Sequence, residues 1–128
     1  MLEITPKHNN GVPAAISLST WYERYPQTIV VRYTGNRYTP INAAWYGQTF
    51  YIDGSGKNNK YSLTSSITSL TEDYCSSLVW KCYHYGASYD YEILEINWHI
   101  PTVILPYDYI NSINMRHNMF SAVHSVNW

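Results

Sequence analysis

Short alternating runs of apolar and polar residues recur along most of this chain, and they predict β-strands rather than helices. The clearest run lies near the end of the sequence, where Phe120, Ala122, His124, Val126 and Trp128 occupy every second position. A period of two places such residues on one face of a sheet. We therefore expect a strand there that closes the sheet.

Two hairpins are predicted by turn residues between such runs. Gly35-Asn36 separates residues 28–34 from 37–41 and fits a type II′ turn, because glycine accepts the positive φ of its first position. Gly86-Ala87-Ser88 separates residues 78–85 from 89–100, and a change of phase in the second arm predicts a β-bulge near Ile93-Leu94. Further strands are expected at residues 14–19, 44–53 and 102–105.

Helical spacing occurs in one segment, residues 63–74, but that segment consists mostly of serine and threonine. Residues 54–60 are rich in glycine and asparagine and predict an exposed loop. The pattern therefore predicts an all-β fold of about eight short strands with at most one short helix. We expect an antiparallel β-sandwich, with a small β-barrel as the alternative. No repeat or linker divides residues 1–128, so the chain is predicted to form a single domain.

The aromatic composition points to binding. The chain has 14 tyrosines and five tryptophans but only two phenylalanines, and charged residues make up only 13% of it. Tyrosine and tryptophan combine an apolar ring with a polar group, which suits protein interfaces and sugar sites. The predicted binding residues come from two clusters of adjacent rings: Trp21, Tyr22, Tyr25, Trp45 and Tyr46.

Charge argues against two classes of partner. The formal net charge is −1 and no block of lysine or arginine exists, so neither a nucleic-acid site nor an anionic membrane site is expected. A net charge near zero gives little repulsion between copies, which favours association. The first residues lack the pattern of a signal peptide, and no apolar run reaches membrane-spanning length, so membrane insertion is not expected.

No motif indicates a cofactor, a metal or a reaction. The five histidines show neither the i, i+2 nor the i, i+4 spacing of paired metal ligands. Asp53-Gly54-Ser55-Gly56 lacks the Lys-Ser or Lys-Thr of a phosphate loop. The two cysteines, Cys75 and Cys82, are expected to be separate thiols, and a disulfide would require the chain to fold back between them. A pair of one cysteine with a histidine stays open as a nucleophilic site.

These observations favour a non-enzymatic structural or assembly protein that acts through an aromatic interface. The most concrete form is a small virion-type component, such as a minor capsid, decoration or tail protein, found in the virion or outside the cell after cytoplasmic assembly. Its partner would be another protein or a copy of itself. The alternative is a carbohydrate-binding module or lectin that binds a glycan, and a third reading is an inhibitor protein of a virus or its host. The basis for all three is compositional.

Overall fold

The computed structural model describes residues 1–87, Tyr109 and residues 120–126. Within these residues it contains three α-helices and three two-stranded sheets. In chain order the elements are β1 (Leu2–Glu3), β2 (Ala14–Ala15), α1 (Leu18–Arg24), β3 (Thr28–Tyr33), α2 (Tyr38–Tyr46), β4 (Lys60–Tyr61), β5 (Glu72–Asp73), α3 (Cys75–Gly86) and β6 (Phe120–Val126).

The predicted all-β sandwich is wrong, and so is its barrel alternative. The structure is mixed, and two helices, α2 and α3, pack against each other at its centre. The sheets are small and separate: β1 pairs with β2, β3 with β6, and β4 with β5. A continuous sandwich core therefore does not form among the described residues.

Helix α2 replaces the second arm of the first predicted hairpin and the start of the strand predicted at residues 44–53. Asn36 does not turn the chain back; its side-chain oxygen accepts a hydrogen bond from the backbone N–H of Tyr38 at 2.9 Å, and its carbonyl accepts one from Thr39. Pro40 lies in the first helical turn, where its missing N–H costs no hydrogen bond. The helical path then continues as a π-helical segment, Gly47–Ile52.

Helix α3 occupies the segment predicted as the first arm of the second hairpin. Its aromatic and β-branched residues favour strands, but that preference is weak and packing overrides it. Ser77 supplies a helix-start signal, because its hydroxyl accepts the backbone N–H of Tyr74 at 2.9 Å. Glu72 and Asp73, which would be unfavourable at the end of a helix over residues 63–74, instead precede the start of α3, where the helix dipole favours negative charge.

Two predicted strands are confirmed. β3 covers most of the predicted segment 28–34, and β6 coincides with the alternating run near the end of the chain. They pair antiparallel, from Thr28 opposite Val126 to Tyr33 opposite Phe120, with a register shift between Val30 and Val31. The predicted bulge at residues 93–94, the hairpin arm 89–100 and the strand 102–105 lie outside the described residues.

The loop at residues 54–60 is more ordered than predicted. It contains a 3₁₀ turn at Ser55–Asn58, and both Gly56 and Asn59 are buried. A Cβ atom at Gly56 would lie 2.5 Å from the ring of Phe50. Gly56 therefore packs against the π-helical turn, whereas Ser55, Lys57, Asn58 and Lys60 are exposed as predicted.

The core consists of two clusters of buried apolar side chains that share helix α3. One cluster contains Ile67, Tyr74, Trp80, Ala87 and Tyr109. The other contains Ile4, Ala43, Tyr51, Leu78 and Cys82. Tyr61 and Tyr83 are half-buried and pack against both clusters, so α3 joins the two halves of the core.

Gly86 sets how closely α2 and α3 approach. A Cβ atom there would lie 2.6 Å from the carbonyl oxygen of Asn42 and 2.9 Å from the Cβ of Tyr46. In an isolated helix, glycine to alanine stabilises by about 1 kcal/mol. Here we expect Gly86→Ala to lower the free energy of unfolding by about 1–3 kcal/mol, because the helices must move apart. Urea denaturation measures this change, and an increase in stability would contradict the packing described.

Candidate functional site

A buried ion pair organises the region where β5 meets α3. The side chains of Asp73 and Lys81 are both 0% exposed, and their Nζ–Oδ1 distance is 2.7 Å. The Lys81 ammonium also donates to the carbonyl of Glu72 at 3.1 Å and to the carbonyl of Ser69. All three of its N–H groups therefore have an acceptor, which a buried ammonium requires.

The Asp73 carboxylate is equally well bonded. Its Oδ2 accepts from the side-chain amide of Asn59 at 2.8 Å, and its Oδ1 accepts from the hydroxyl of Tyr51 at 3.1 Å. Burial, followed by the charge of Asp73, raises the pKa of Tyr51 far above its ordinary value, so the phenol stays protonated and remains a donor. The network thus gives each of the two carboxylate oxygens of Asp73 at least one hydrogen-bond donor.

This network fixes the first turn of α3. Asp73 belongs to β5 and Lys81 to the middle of α3, so their ion pair ties the strand to the helix across the intervening residues. Tyr74 lies between them as the residue that caps the helix, held by Ser77. The next residue, Cys75, is the first of α3, so the contacts of Asp73 and Tyr74 also fix its backbone position.

The thiol of Cys75 faces solvent. Cys75 is exposed, whereas Ser76, the next residue, is 4% exposed. The Cys75 Sγ lies 3.8 Å from the Ser76 hydroxyl oxygen, and the Ser76 carbonyl accepts a hydrogen bond from the Tyr109 hydroxyl at 2.7 Å. An exposed cysteine is unusual, because cysteine is among the most frequently buried residue types.

Two tyrosines lie near this thiol. Burial raises the pKa of Tyr61, and the proximity of Cys75 adds to that rise. Tyr109 is 6% exposed, and burial is the main cause of its strongly raised pKa, with Cys75 among the smaller electrostatic contributions. Cys75 therefore lies beside aromatic rings whose hydroxyls stay neutral and can donate or accept hydrogen bonds.

The second cysteine, on the same helix, has the opposite environment. Cys82 is 7% exposed, and burial raises the pKa of its thiol to about 12. It lines a cavity of about 400 Å³. The walls of that cavity are formed mainly by apolar or small residues, which include Leu2, Ala43, Gly47 and Leu78. Both cysteines are free, as expected from the sequence, and their environments distinguish a solvent-facing thiol from an enclosed one.

The sequence-predicted residues of α1 form a local packing unit. The rings of Trp21 and Tyr25 lie 4.5 Å apart, and the Trp21 indole N–H donates to Thr28 at 3.3 Å. The Tyr25 hydroxyl donates to Glu3, which also forms an ion pair with Arg24. Tyr22 is half-buried on the same helix. These contacts tie α1 to β1 and to the start of β3.

The two predicted residues of α2 have different environments. Trp45 is 67% exposed. Tyr46 is half-buried, and its ring stacks on Phe50 at 5.3 Å and on Tyr85 at 5.8 Å. Burial raises the pKa of Tyr46 to about 12. Trp45 is therefore accessible from solvent, whereas Tyr46 connects α2 to α3 through its contact with Tyr85. The role of these two residues in binding stays a prediction.

Sequence reasoning missed the environment of Cys75 and the whole Asp73–Lys81 network. The missed signal was a helix start, in which acidic Glu72 and Asp73 are followed by serines within the first turn of α3. No local pattern marks Lys81 as buried, because its acceptors, Ser69, Glu72 and Asp73, lie outside its own helix, eight to twelve residues earlier in the chain.

Residues 1–87, Tyr109 and residues 120–126 contain no group of three or more histidine, cysteine or acidic side chains that could hold a metal ion. No helix in this part of the chain is both long and apolar enough to cross a membrane. No protein-family model, curated protein or solved structure matches the sequence or the fold.

Lys81→Met tests the buried network. Removing the ammonium leaves the Asp73 carboxylate buried without its counter-charge, so we expect the free energy of unfolding to fall by about 3–5 kcal/mol. In the double variant Lys81→Met/Asp73→Asn, the loss should be smaller than the sum of the two single losses. Urea denaturation measures both, and exposed Lys57→Met serves as the control with a change below about 0.5 kcal/mol. Additive losses would show that the two charges do not interact.

Proposed function

We propose that this protein acts through the thiol of Cys75 as a cysteine nucleophile in acyl transfer or hydrolysis. The observation that carries the proposal is the exposed position of Cys75 as the first residue of a 12-residue helix. The sequence alone offered no reason to prefer either cysteine, because a thiol's reactivity depends on its surroundings. The fold supplies that distinction.

The physical basis is the electrostatics of a helix start. The first backbone N–H groups of a helix have no partner within the helix, and together they carry a partial positive charge. A thiolate is stabilised at such a position, and a thiolate is the nucleophilic form of cysteine. The acidic side chain nearest in sequence, Asp73, is already neutralised by Lys81 and does not oppose a negative charge on sulfur.

Rigidity supports the same proposal. A nucleophile gains from being held in place, because positioning removes entropy from the reaction barrier. Here the ion pair at Asp73, the Tyr74 cap and the hydrogen bond from Tyr109 to the Ser76 carbonyl hold three residues that lie within two positions of Cys75.

The reaction follows from the chemistry of a thiol. The sulfur forms a bond to the carbonyl carbon of an ester or amide, the bond to the alcohol or amine breaks, and the leaving group departs with the thiol proton. Water then attacks the thioester, releasing the acid and restoring the thiol. A general base takes up the thiol proton in the first step and delivers it to the leaving group.

The sequence-based predictions of a non-catalytic assembly protein, a lectin or an inhibitor remain predictions beside this proposal. They differ from it in one measurable respect: none of them requires a reactive thiol. Chemistry at Cys75 therefore separates the proposed function from all three.

Alkylation by iodoacetamide is the first test. It compares the single-thiol variants Cys82→Ala, which keeps Cys75, and Cys75→Ala, which keeps Cys82. At neutral pH we expect Cys75 to react at least ~100-fold faster than Cys82, because the latter is buried and its thiolate is rare. Unfolding in urea should make Cys82 faster and Cys75 slower, since the helix start is lost. A folded Cys75 that reacts more slowly than the unfolded one would overturn the proposal.

Acylation is the second test. With p-nitrophenyl acetate, the proposal expects rapid release of one equivalent of nitrophenolate and a protein mass increase of one acetyl group at Cys75. Cys82→Ala should keep this burst and Cys75→Ser should lose it. Replacing each of the five histidines by asparagine identifies the base as the variant in which the burst slows while the fold is kept. If Cys75→Ser acylates as the parent does, the nucleophile is another group.

A further inference from the structure

The cavity beside Cys82 lies between α2 and α3 and has the size of a small-molecule site. Its volume is about 400 Å³, and pockets that enclose small ligands measure about 300–1,000 Å³. Small residues of α2 and of the π-helical segment, such as Ala44 and Gly47, line it. Helix α3 contributes Leu78, Val79, Cys82 and Tyr83.

The wall formed by α3 continues toward the exposed thiol of Cys75. Leu78, Val79 and Cys82 follow Cys75 by three, four and seven residues, so all four residues lie on one face of the helix. Side chains on a helix lean toward its N-terminus, which directs Val79 toward the turn that contains Cys75. Val79 is itself 36% exposed. Cys75 therefore lies one helical turn beyond the cavity wall, on the same face of α3.

The chemistry of the walls selects an uncharged occupant. Among the described residues that line the cavity, no side chain carries a formal charge. The two most polar groups are engaged elsewhere: the Met1 ammonium donates to the carbonyl of Ile16 at 2.8 Å, and the Gln48 amide donates to Asp53 at 3.1 Å. A charged group would lose its water here without gaining a counter-charge, whereas burying an apolar chain is favourable.

We propose that this cavity binds the acyl chain of the substrate, so that the carbonyl carbon of the same chain lies at Cys75. The face of α3 from Cys75 to Cys82 is about 10 Å long, which matches an octanoyl chain better than an acetyl group. The inference rests on the reaction proposed for Cys75. It adds the class of substrate, namely esters or amides of medium-chain, uncharged acyl groups.

Chain length is the first test, with p-nitrophenyl acetate and p-nitrophenyl octanoate at concentrations below those at which the esters aggregate. Each methylene that is fully buried accelerates the reaction by about fourfold. Because the cavity is partly open, we expect the octanoate to acylate the parent chain at least ~10-fold faster per mole of ester than the acetate. Equal rates for the two esters would overturn the proposal.

Filling the cavity is the second test. Ala44 lines it from α2, and leucine at this exposed helical position takes up part of its volume while keeping a strong helix former. Ala44→Leu should therefore bring the ratio of the octanoate rate to the acetate rate close to one. Thr68→Leu is the matched control, because Thr68 is also exposed but does not line the cavity, and it should keep the parent's ratio. An unchanged ratio in Ala44→Leu would show that the chain binds elsewhere.

Binding without reaction separates this inference from the function on which it rests. In Cys75→Ser, titration calorimetry should detect one saturable site for octanamide, which cannot acylate the protein. Bound octanamide should also slow alkylation of Cys82 by iodoacetamide at least ~10-fold, because Cys82 lines the cavity. Absence of binding, or binding that leaves the alkylation of Cys82 unchanged, rules out the cavity as the site. Binding in Cys75→Ser together with a parent chain that no ester acylates refutes the reaction at Cys75, and with it the substrate class, but keeps the cavity as a site for apolar chains.

Discussion

The ion pair between Asp73 and Lys81 is the interaction on which the rest of the structure depends. Both charges are removed from water, so each must be paired and hydrogen-bonded within the fold. The partners of these two side chains come from the π-helical segment, the residue after the 3₁₀ turn, the segment before β5 and α3 itself. A single buried site thereby specifies how several otherwise separate segments meet. The Lys81 ammonium also donates to the carbonyl of Glu72, so the network holds the backbone of the two-residue strand β5 directly.

Helix packing follows from this constraint. α3 is held by Lys81 on one side, and α2 approaches it closely because Gly86 has no side chain. Each helix then contributes to a core in which tyrosine and tryptophan rings pack beside aliphatic side chains, and aromatic contacts such as those of Tyr46 with Phe50 and Tyr85 extend it. The abundance of tyrosine thus has two uses in this molecule. Some rings pack inside with their hydroxyls bonded, and others, together with Trp45, remain on the surface.

The two cysteines have the same side chain but differ in exposure to solvent, because they occupy different positions on α3. They lie seven residues apart on α3, yet one is exposed at the helix start and the other is enclosed beside a cavity. Burial raises the pKa of Cys82 to about 12, so its reactive thiolate form is rare at neutral pH. The same helix that anchors the fold therefore carries one exposed and one buried thiol among the described residues.

The sequence by itself determined the strands β3 and β6, the lack of charge and the presence of two unpaired thiols, since these depend on local alternation and composition. It failed at α2 and α3, where aromatic and β-branched residues favoured strands and only the Asn36 and Ser77 hydrogen bonds marked the helix starts. Of the candidate site, it supplied the residue types but neither the exposure of Cys75 nor the burial of Lys81. Those properties were decided by the tertiary structure. The physical reason is that burial, charge pairing and the direction of a helix start arise from segments distant in sequence, which no local pattern contains.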